Sequence, residues 1–263
     1  MIQNNSTQRG ILYVALGQES VREAALSARS LHKIHADLPV QLFTDQSEMP
    51  AAWRKEFTFV EALDPESYLL NGKPVLARVL RTRVNCLVRA RFLETLHLDA
   101  DTKVLKSIEG LWSHLARADF AIANEPLNDW PARPEILLEY KNPRYYNAGV
   151  FAFRDTPAWR KFLAEWLRRL ELIPDDELVH STGGDQRPLN AMIFDEGYPQ
   201  QIGLTISELD NLKFNARGQM FQRMRQDNLM SQICIAHCHS VHFTLPVVAR
   251  MKWLTLMKRL GWA

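Results

Sequence analysis

The chain has 263 residues, 46% hydrophobic and 24% charged, with a formal net charge of +2 from 32 basic and 30 acidic residues. Such a length and composition suit one large α/β domain, or two small domains, with a buried core and argue against a disordered chain. No charge excess points to bulk binding of nucleic acid, a local basic patch remaining open, and 3 cysteines are too few for a disulfide framework and fit a reducing compartment.

Met1 to Gly10 is polar and lacks the apolar run of a signal peptide. No apolar run approaches the ~20 residues of a membrane helix, so the expectation is a soluble, cytoplasmic protein. Strands alternate with helices along the chain, the pattern of helices packed on a mostly parallel sheet. Gly10 to Leu16 (GILYVAL) reads as a buried first strand, stopped by Gly17. A helix follows, with Val21, Ala24, Ala25, Ala28 and Leu31 on one face. Val40 to Phe43 is a second strand that ends in Thr44-Asp45. Residues 46 to 73 read as irregular apart from a strand at Phe57 to Val60. Pro74 is placed to open a helix with Leu76, Val79, Leu80 and Leu87 inward and Arg78, Arg81, Arg83 and Arg89 on other faces.

Thr95 to Asp101 reads as a strand ending in acids, and Phe120 to Ala123 and Ala148 to Phe153 as further strands. Trp159, Phe162, Leu163, Trp166, Leu167 and Leu170 give the clearest amphipathic helix, over 157–172. Gly183-Gly184 interrupts, and Asp185 to Phe194 is a short helix. Ile202, Leu204 and Ile206 alternate as a strand, Ile233 to His237 is a last strand, and a helix runs from Pro246.

Asp99 and Asp101 carry the strongest chemical signal. Residues i and i+2 of an extended chain point to one side, so two carboxylates would face one point beyond the carboxyl end of a strand. Two such charges repel unless a cation or donor sits between them, and a hard divalent cation shared with substrate phosphates satisfies both. The plain alternative is a turn with two solvated acids. An EF-hand loop fails because Lys103 and Leu105 stand where ligands are needed. A phosphatase with the first Asp as nucleophile expects this strand near the N-terminus and Thr or Val at position 103, which is Lys.

Four segments in order then resemble glycosyltransferases of the GT-A fold, in particular family 8, which use nucleotide-sugar donors. They are Leu96-His97-Leu98-Asp99-Ala100-Asp101-Thr102, Tyr146-Asn147-Ala148-Gly149-Val150, Asp185-Gln186 with Leu189-Asn190, and Leu209 to Asn215 (LDNLKFN). The resemblance implies an α/β fold with a mostly parallel sheet flanked by helices, spanning residues 1–245. It implies that Asp99 and Asp101, with Ala100 between them, bind the donor diphosphate through Mn2+ or Mg2+, and that His237 completes the metal site. Ala15, Leu16 and Gly17 would approach the nucleotide, Gly17 permitting close backbone contact. Asp45 would meet the base or ribose, or else cap a turn. Of the three arginines on the helix before the acids, Arg83 and Arg78 are the expected donor contacts, because a guanidinium fork suits phosphate and sugar oxygens. Asn147 and Gly149 would border the sugar pocket, and Asp185 and Gln186 would act as catalytic residues there, unless Asp185 serves as a helix N-cap.

The chain departs from the family after His237, where Cys238-His239-Ser240-Val241-His242 replaces a Gly and a Lys. His239 is therefore an alternative ligand, and phosphate neutralisation would fall to the arginines. A zinc site from Cys234, His237, Cys238 and His239 is disfavoured because adjacent strand residues face opposite ways. The expected activity is transfer of a sugar from a nucleotide-diphosphate donor, of the UDP-sugar class, to an acceptor hydroxyl with retention, on a glycan or lipid-linked acceptor. A nucleotide-sugar-binding module without turnover and the phosphatase remain as alternatives. Residues 246–263 carry Arg250, Lys252, Lys258 and Arg259 with Trp253 and Trp262 and no acid. That amphipathic helix would pack on the domain or lie peripherally on an anionic membrane surface.

Overall fold

The apolar runs become the strands of one sheet. The structure is a computed structural model and describes residues 8–124, 144–175 and 184–237. In chain order the strands are β1 (Arg9–Ala15), β2 (Val40–Thr44), β3 (Phe59–Ala62), β4 (Leu69–Leu70), β5 (Lys73–Pro74) and β6 (Glu94–Leu98), followed by β7 (Thr102–Val104), β8 (Phe120–Asn124), β9 (Tyr146–Arg154), β10 (Ile206–Leu209), β11 (Ala216–Arg217) and β12 (Ile235–His237). The main sheet has the order β10-β8-β9-β6-β1-β2-β3. Its pairs are parallel except that β9 runs antiparallel to both β6 and β8. A second sheet, β11-β12-β7, joins the chain's last described strand antiparallel to β7.

The helices that cover the sheet are α1 (Gln18–His32), α2 (Ala51–Arg54), α3 (Leu76–Leu87), α4 (Glu109–Leu115), α5 (Pro157–Leu172) and α6 (Gln186–Asn190). On one face, α1 and α4 bury Val21, Ala28, Leu111 and Trp112 against Ile11, Tyr13, Leu96 and Val150. On the other, α3, α5 and α6 bury Val84, Phe162, Trp166 and Leu189 against Leu12, Phe43, Phe151 and Phe153. Both faces are covered, which is why these strands read as continuous apolar runs rather than alternating ones. In α5 the sequence states its own start: the Thr156 side chain accepts from Trp159 N, and Pro157 occupies the first turn, where its missing N–H costs nothing. Trp159 then stacks on Phe153 with centroids 4.5 Å apart, fixing α5 to β9.

The mostly parallel α/β architecture and helix 157–172 agree with the sequence. Several boundaries differ. The strand expected to run to Asp101 ends at Leu98, and the acids lie in a turn that leads into β7. Pro74 pairs with Leu69 in a two-residue hairpin strand, so α3 begins at Leu76, which is 49% exposed instead of inward. Ile202 ends a short helix (Tyr198–Ile202), and the strand starts only at Ile206, because Gly203 takes φ 71° and turns the chain. The helix expected over Asp185 to Phe194 is α6 followed by a π-helical turn, Ala191–Asp195. The expected helix over 246–263, together with His239 and His242, lies outside the described residues.

Candidate active site

β1, β2, β6 and β8 run parallel, or in register through β9, so their carboxyl ends open on one edge. Antiparallel β9 begins at that same edge. Thus Gly17, Asp45, Asp99 and the Tyr146–Val150 segment gather where open α/β sheets bind ligands.

Past Leu98 the chain turns sharply. Thr102 closes the turn: its backbone N and its Oγ1 both donate to Asp99 O, at 3.2 and 2.8 Å. Thr102 Oγ1 is also bonded to Ser27 Oγ, which meets the Tyr13 hydroxyl, so the turn is tied to α1 and β1. Asp99 N donates to Gly149 O at 2.8 Å, pinning the turn to β9. β12 delivers His237 from the other side, with Nε2 at 3.4 Å from Asp101 Oδ1 and 3.7 Å from Asp99 Oδ2. One ligand atom from each of Asp99, Asp101 and His237 falls within 4.8 Å of the other two. Two carboxylate oxygens and an imidazole nitrogen at that spacing are a donor set that suits a divalent cation, and the nitrogen tilts preference toward manganese over magnesium.

Gly149 makes room for this convergence. A Cβ there would overlap the His237 ring and lie 2.9 Å from Asp99 Oδ2. Glycine is needed here for close approach of side chains.

Behind the acids lies a charge cluster in which Arg83 and Asp99 are half-buried and Asp185 is buried. Arg83 Nη1 donates to Asp99 Oδ1 at 2.8 Å and Nη2 to Asp185 Oδ2. Burial disfavours the Arg83 charge, but Asp185 and Asp99 outweigh it and hold the guanidinium above its usual value. Burial likewise works to raise Asp99, yet Arg83 and the nearby histidines hold it well below the usual carboxylate range. For Asp185, which is 3% exposed, burial prevails over Arg83 and the pKa rises. His97 sits beneath, 1% exposed, tilted against Phe151 with ring centroids 4.7 Å apart and with Nε2 3.4 Å from Asp99 Oδ1. Burial lowers its pKa, against the pull of Asp99.

The other expected site residues divide into two groups. Ala15 is buried at the end of β1 and Leu16 half-buried after it. Gly17, at φ 79°, donates its N–H to Asp45 Oδ1 at 2.7 Å, while Asp45 Oδ2 accepts from Tyr68 Oη at 2.6 Å and Gln46 Nε2 at 2.8 Å. Asp45 therefore braces the first loop. Gln186 Oε1 accepts from Ala148 N at 2.9 Å, and Asn147 Oδ1 from Gly149 N at 2.9 Å, so both side chains shape the start of β9. Asp185 makes no capping bond to α6; its carboxylate goes to Arg83, and Trp166 Nε1 holds its backbone oxygen at 2.9 Å. Arg78 and Arg81 turn away from the acids and grip Asp175, at 3.1 and 2.6 Å. Of the three arginines, Arg83 is the one bonded to Asp99.

Sequence reasoning gave no role to His97, Thr102 or Asn215. Asn215 was visible only as the end of a motif; Thr102 and His97 flank the acids and carry no signal of their own. Among the described residues no helix is long and apolar enough to cross a membrane.

No family model matches this chain, and no curated protein sequence does. Solved structures do. A galactosyltransferase, LgtC, in complex with donor and acceptor sugar analogues, superposes with a TM-score of 0.58 at 16% identity, over 95% of each chain. The glycosyltransferase GlyE of Streptococcus pneumoniae TIGR4 gives 0.60 at 14% identity, over 97% of this chain and 64% of that one. Mouse xyloside xylosyltransferase 1 in its apo form gives 0.53 at 16% identity, over 91% of this chain and all of that one. Identities this low carry the fold: the chain has the GT-A fold of these proteins.

Proposed function

We propose that this protein is a metal-dependent glycosyltransferase that moves a sugar from a nucleotide-diphosphate donor, of the UDP-sugar class, to an acceptor hydroxyl. The observation that carries the proposal is the convergence of Asp99, Asp101 and His237 at the carboxyl edge of the sheet. The shared fold with three glycosyltransferases supports the same reading. A Mn2+ or Mg2+ ion held by these three residues would neutralise charge on the donor diphosphate and favour its departure.

The chain's own residues would then divide the work. Ala15, Leu16 and Gly17 form the edge nearest the nucleotide, with Asp45 keeping the Gly17 loop in place. Arg83 holds Asp99 in one orientation and lends positive charge beneath the diphosphate. Asn147, Gly149, Asp185 and Gln186 bound the sugar side. Retention belongs to the proposal: an inverting displacement needs a general base, and the Asp185 carboxylate is buried and engaged by Arg83. The acceptor is placed in the class of glycans or lipid-linked glycans, the latter on the strength of the basic, aromatic segment 246–263.

A panel of nucleotide sugars incubated with Mn2+ tests the reading. Nucleotide release that a chelator stops supports it. Donor binding without release identifies a binding module, and inorganic phosphate from a monoester identifies a phosphatase.

A further inference from the structure

The orientation of the His237 ring is set by a chain of hydrogen bonds whose direction begins at a backbone N–H. Gly149 N donates to Asn147 Oδ1 at 2.9 Å, and a backbone N–H can only donate, so Asn147 presents its oxygen there. The group of Asn215 that meets the same oxygen at 3.2 Å must then be its amide nitrogen. That leaves Asn215 Oδ1 facing His237 Nδ1 at 2.8 Å, and an amide oxygen accepts only. His237 therefore carries its hydrogen on Nδ1 and turns Nε2 toward the two carboxylates. The three side chains are 4%, 0% and 1% exposed in chain order, so water does not compete for these bonds.

We infer that Asn215, oriented by Asn147 and the Gly149 N–H, is a positioning residue that fixes the tautomer and ring plane of His237 so that Nε2 is presented as a metal ligand. The inference rests on the metal-site reading above and assigns Asn215 no contact with the substrate. Its logic is general: an imidazole ligand binds through the nitrogen that its other hydrogen bond leaves deprotonated. The same bonds explain why segments far apart in the chain meet here. Asn147 is the second residue of β9, Asn215 precedes β11 and His237 ends β12, whose register pairs Arg217 with His237.

The test uses the full chain with Asn215→Leu, close in size and unable to hydrogen-bond, and Asn215→Asp, which keeps an acceptor for Nδ1. Two readouts are taken: Mn2+ affinity by calorimetry, and the His237 tautomer in metal-free protein by 15N–1H correlation, assigned with His237→Gln. In the wild type, Nδ1 carries the proton. Asn215→Leu should weaken Mn2+ binding about 10- to 100-fold, the usual cost of losing an outer-shell partner, and shift the ring toward the Nε2–H form. Asn215→Asp should keep the Nδ1–H form and bind Mn2+ more tightly than Asn215→Leu. Folding is followed by circular dichroism, and if Asn215→Leu does not fold, the wild-type tautomer and Asn215→Asp decide. An Nε2–H tautomer in the wild type overturns the inference, as does Mn2+ affinity within twofold of wild type in folded Asn215→Leu. Equal loss in both variants also overturns it. A wild type with the Nδ1–H form that takes up no Mn2+ overturns the metal reading instead.

Discussion

Replacing Arg83 by methionine removes the guanidinium that Asp99 and Asp185 share while keeping most of the side chain's volume. The acids left behind are 18% and 4% exposed at their side chains. At 2.8 Å and an effective dielectric constant of about 20, the Arg83–Asp99 attraction is about 6 kcal/mol. The cost of burying the ions offsets part of it, and breaking such buried pairs costs about 3–5 kcal/mol. Arg83→Met should therefore lower the urea unfolding free energy by about 3–5 kcal/mol with an unchanged m-value. Adding Asp185→Asn to the same chain should restore part of the loss, because one of the two stranded charges is gone. The coupling appears as non-additivity in a double-mutant cycle. A single variant within about 1 kcal/mol of wild type, the worth of a solvent-exposed pair, would refute the picture of a half-buried cation shared by two carboxylates.

The remaining predictions concern the acids, the glycine and a tyrosine. Asp99→Asn or Asp101→Asn should abolish most Mn2+-dependent nucleotide release while leaving the fold intact by circular dichroism; full activity in both would remove metal dependence from the mechanism. Gly149→Ala places a Cβ 2.9 Å from Asp99 Oδ2 and against the His237 ring. It should cost about 1–3 kcal/mol of stability by overpacking and weaken Mn2+ binding by more than tenfold, read from thermal melts and calorimetry. The Tyr68 hydroxyl is pushed up from 10.0 to about 12, by burial first and by its bond to Asp45. A raised folded-state pKa gives stability that is full below pH 10 and falls as pH rises toward 12, when the unfolded chain ionises first. Tyr68→Phe should flatten that alkaline decline in urea titrations at stepped pH, and an unchanged slope would show that Tyr68 does not hold Asp45.

The fold was legible where local pattern and final environment agree. The first strand, α1 and helix 157–172 needed only apolar runs or 3.6-residue spacing, because each packs one face or both against the same sheet. Boundaries failed where a single residue has two uses. Pro74 suits the first turn of a helix and equally an edge strand, and the hairpin with Leu69 took it. Ile202, Leu204 and Ile206 alternate, yet Gly203 at φ 71° interrupts any strand through them. The antiparallel direction of β9 had no local signature either, since a strand buried on both faces reads the same whichever way it runs.

The site divides along the same line. Asp99, Asp101 and His237 were legible as residue types in motifs, although the i, i+2 argument placed the acids on a strand and the Thr102 turn is what brings them together. The partners of the polar side chains were not legible, because each choice depends on a segment distant in the chain. Asp185 shows why. Two uses competed for it in the sequence, a cap for α6 and a group in the sugar pocket. The fold adds a third, because the Arg83 side chain on α3 reaches between α6 and the acidic turn. A helix N-cap is worth about 1 kcal/mol and its N–H groups can be met by water, whereas Arg83 stripped of its second carboxylate loses a charge-assisted hydrogen bond worth about 1.5–3 kcal/mol. The carboxylate therefore goes to Arg83, α6 begins without a side-chain cap, and the Trp166 bond to Asp185 O keeps the junction in place. The same reasoning gives Asp45 to the Gly17 and Tyr68 donors and Asn147 to Gly149 and Asn215. At this edge of the sheet, side chains that look poised for a ligand hold the backbone and charges that would receive one.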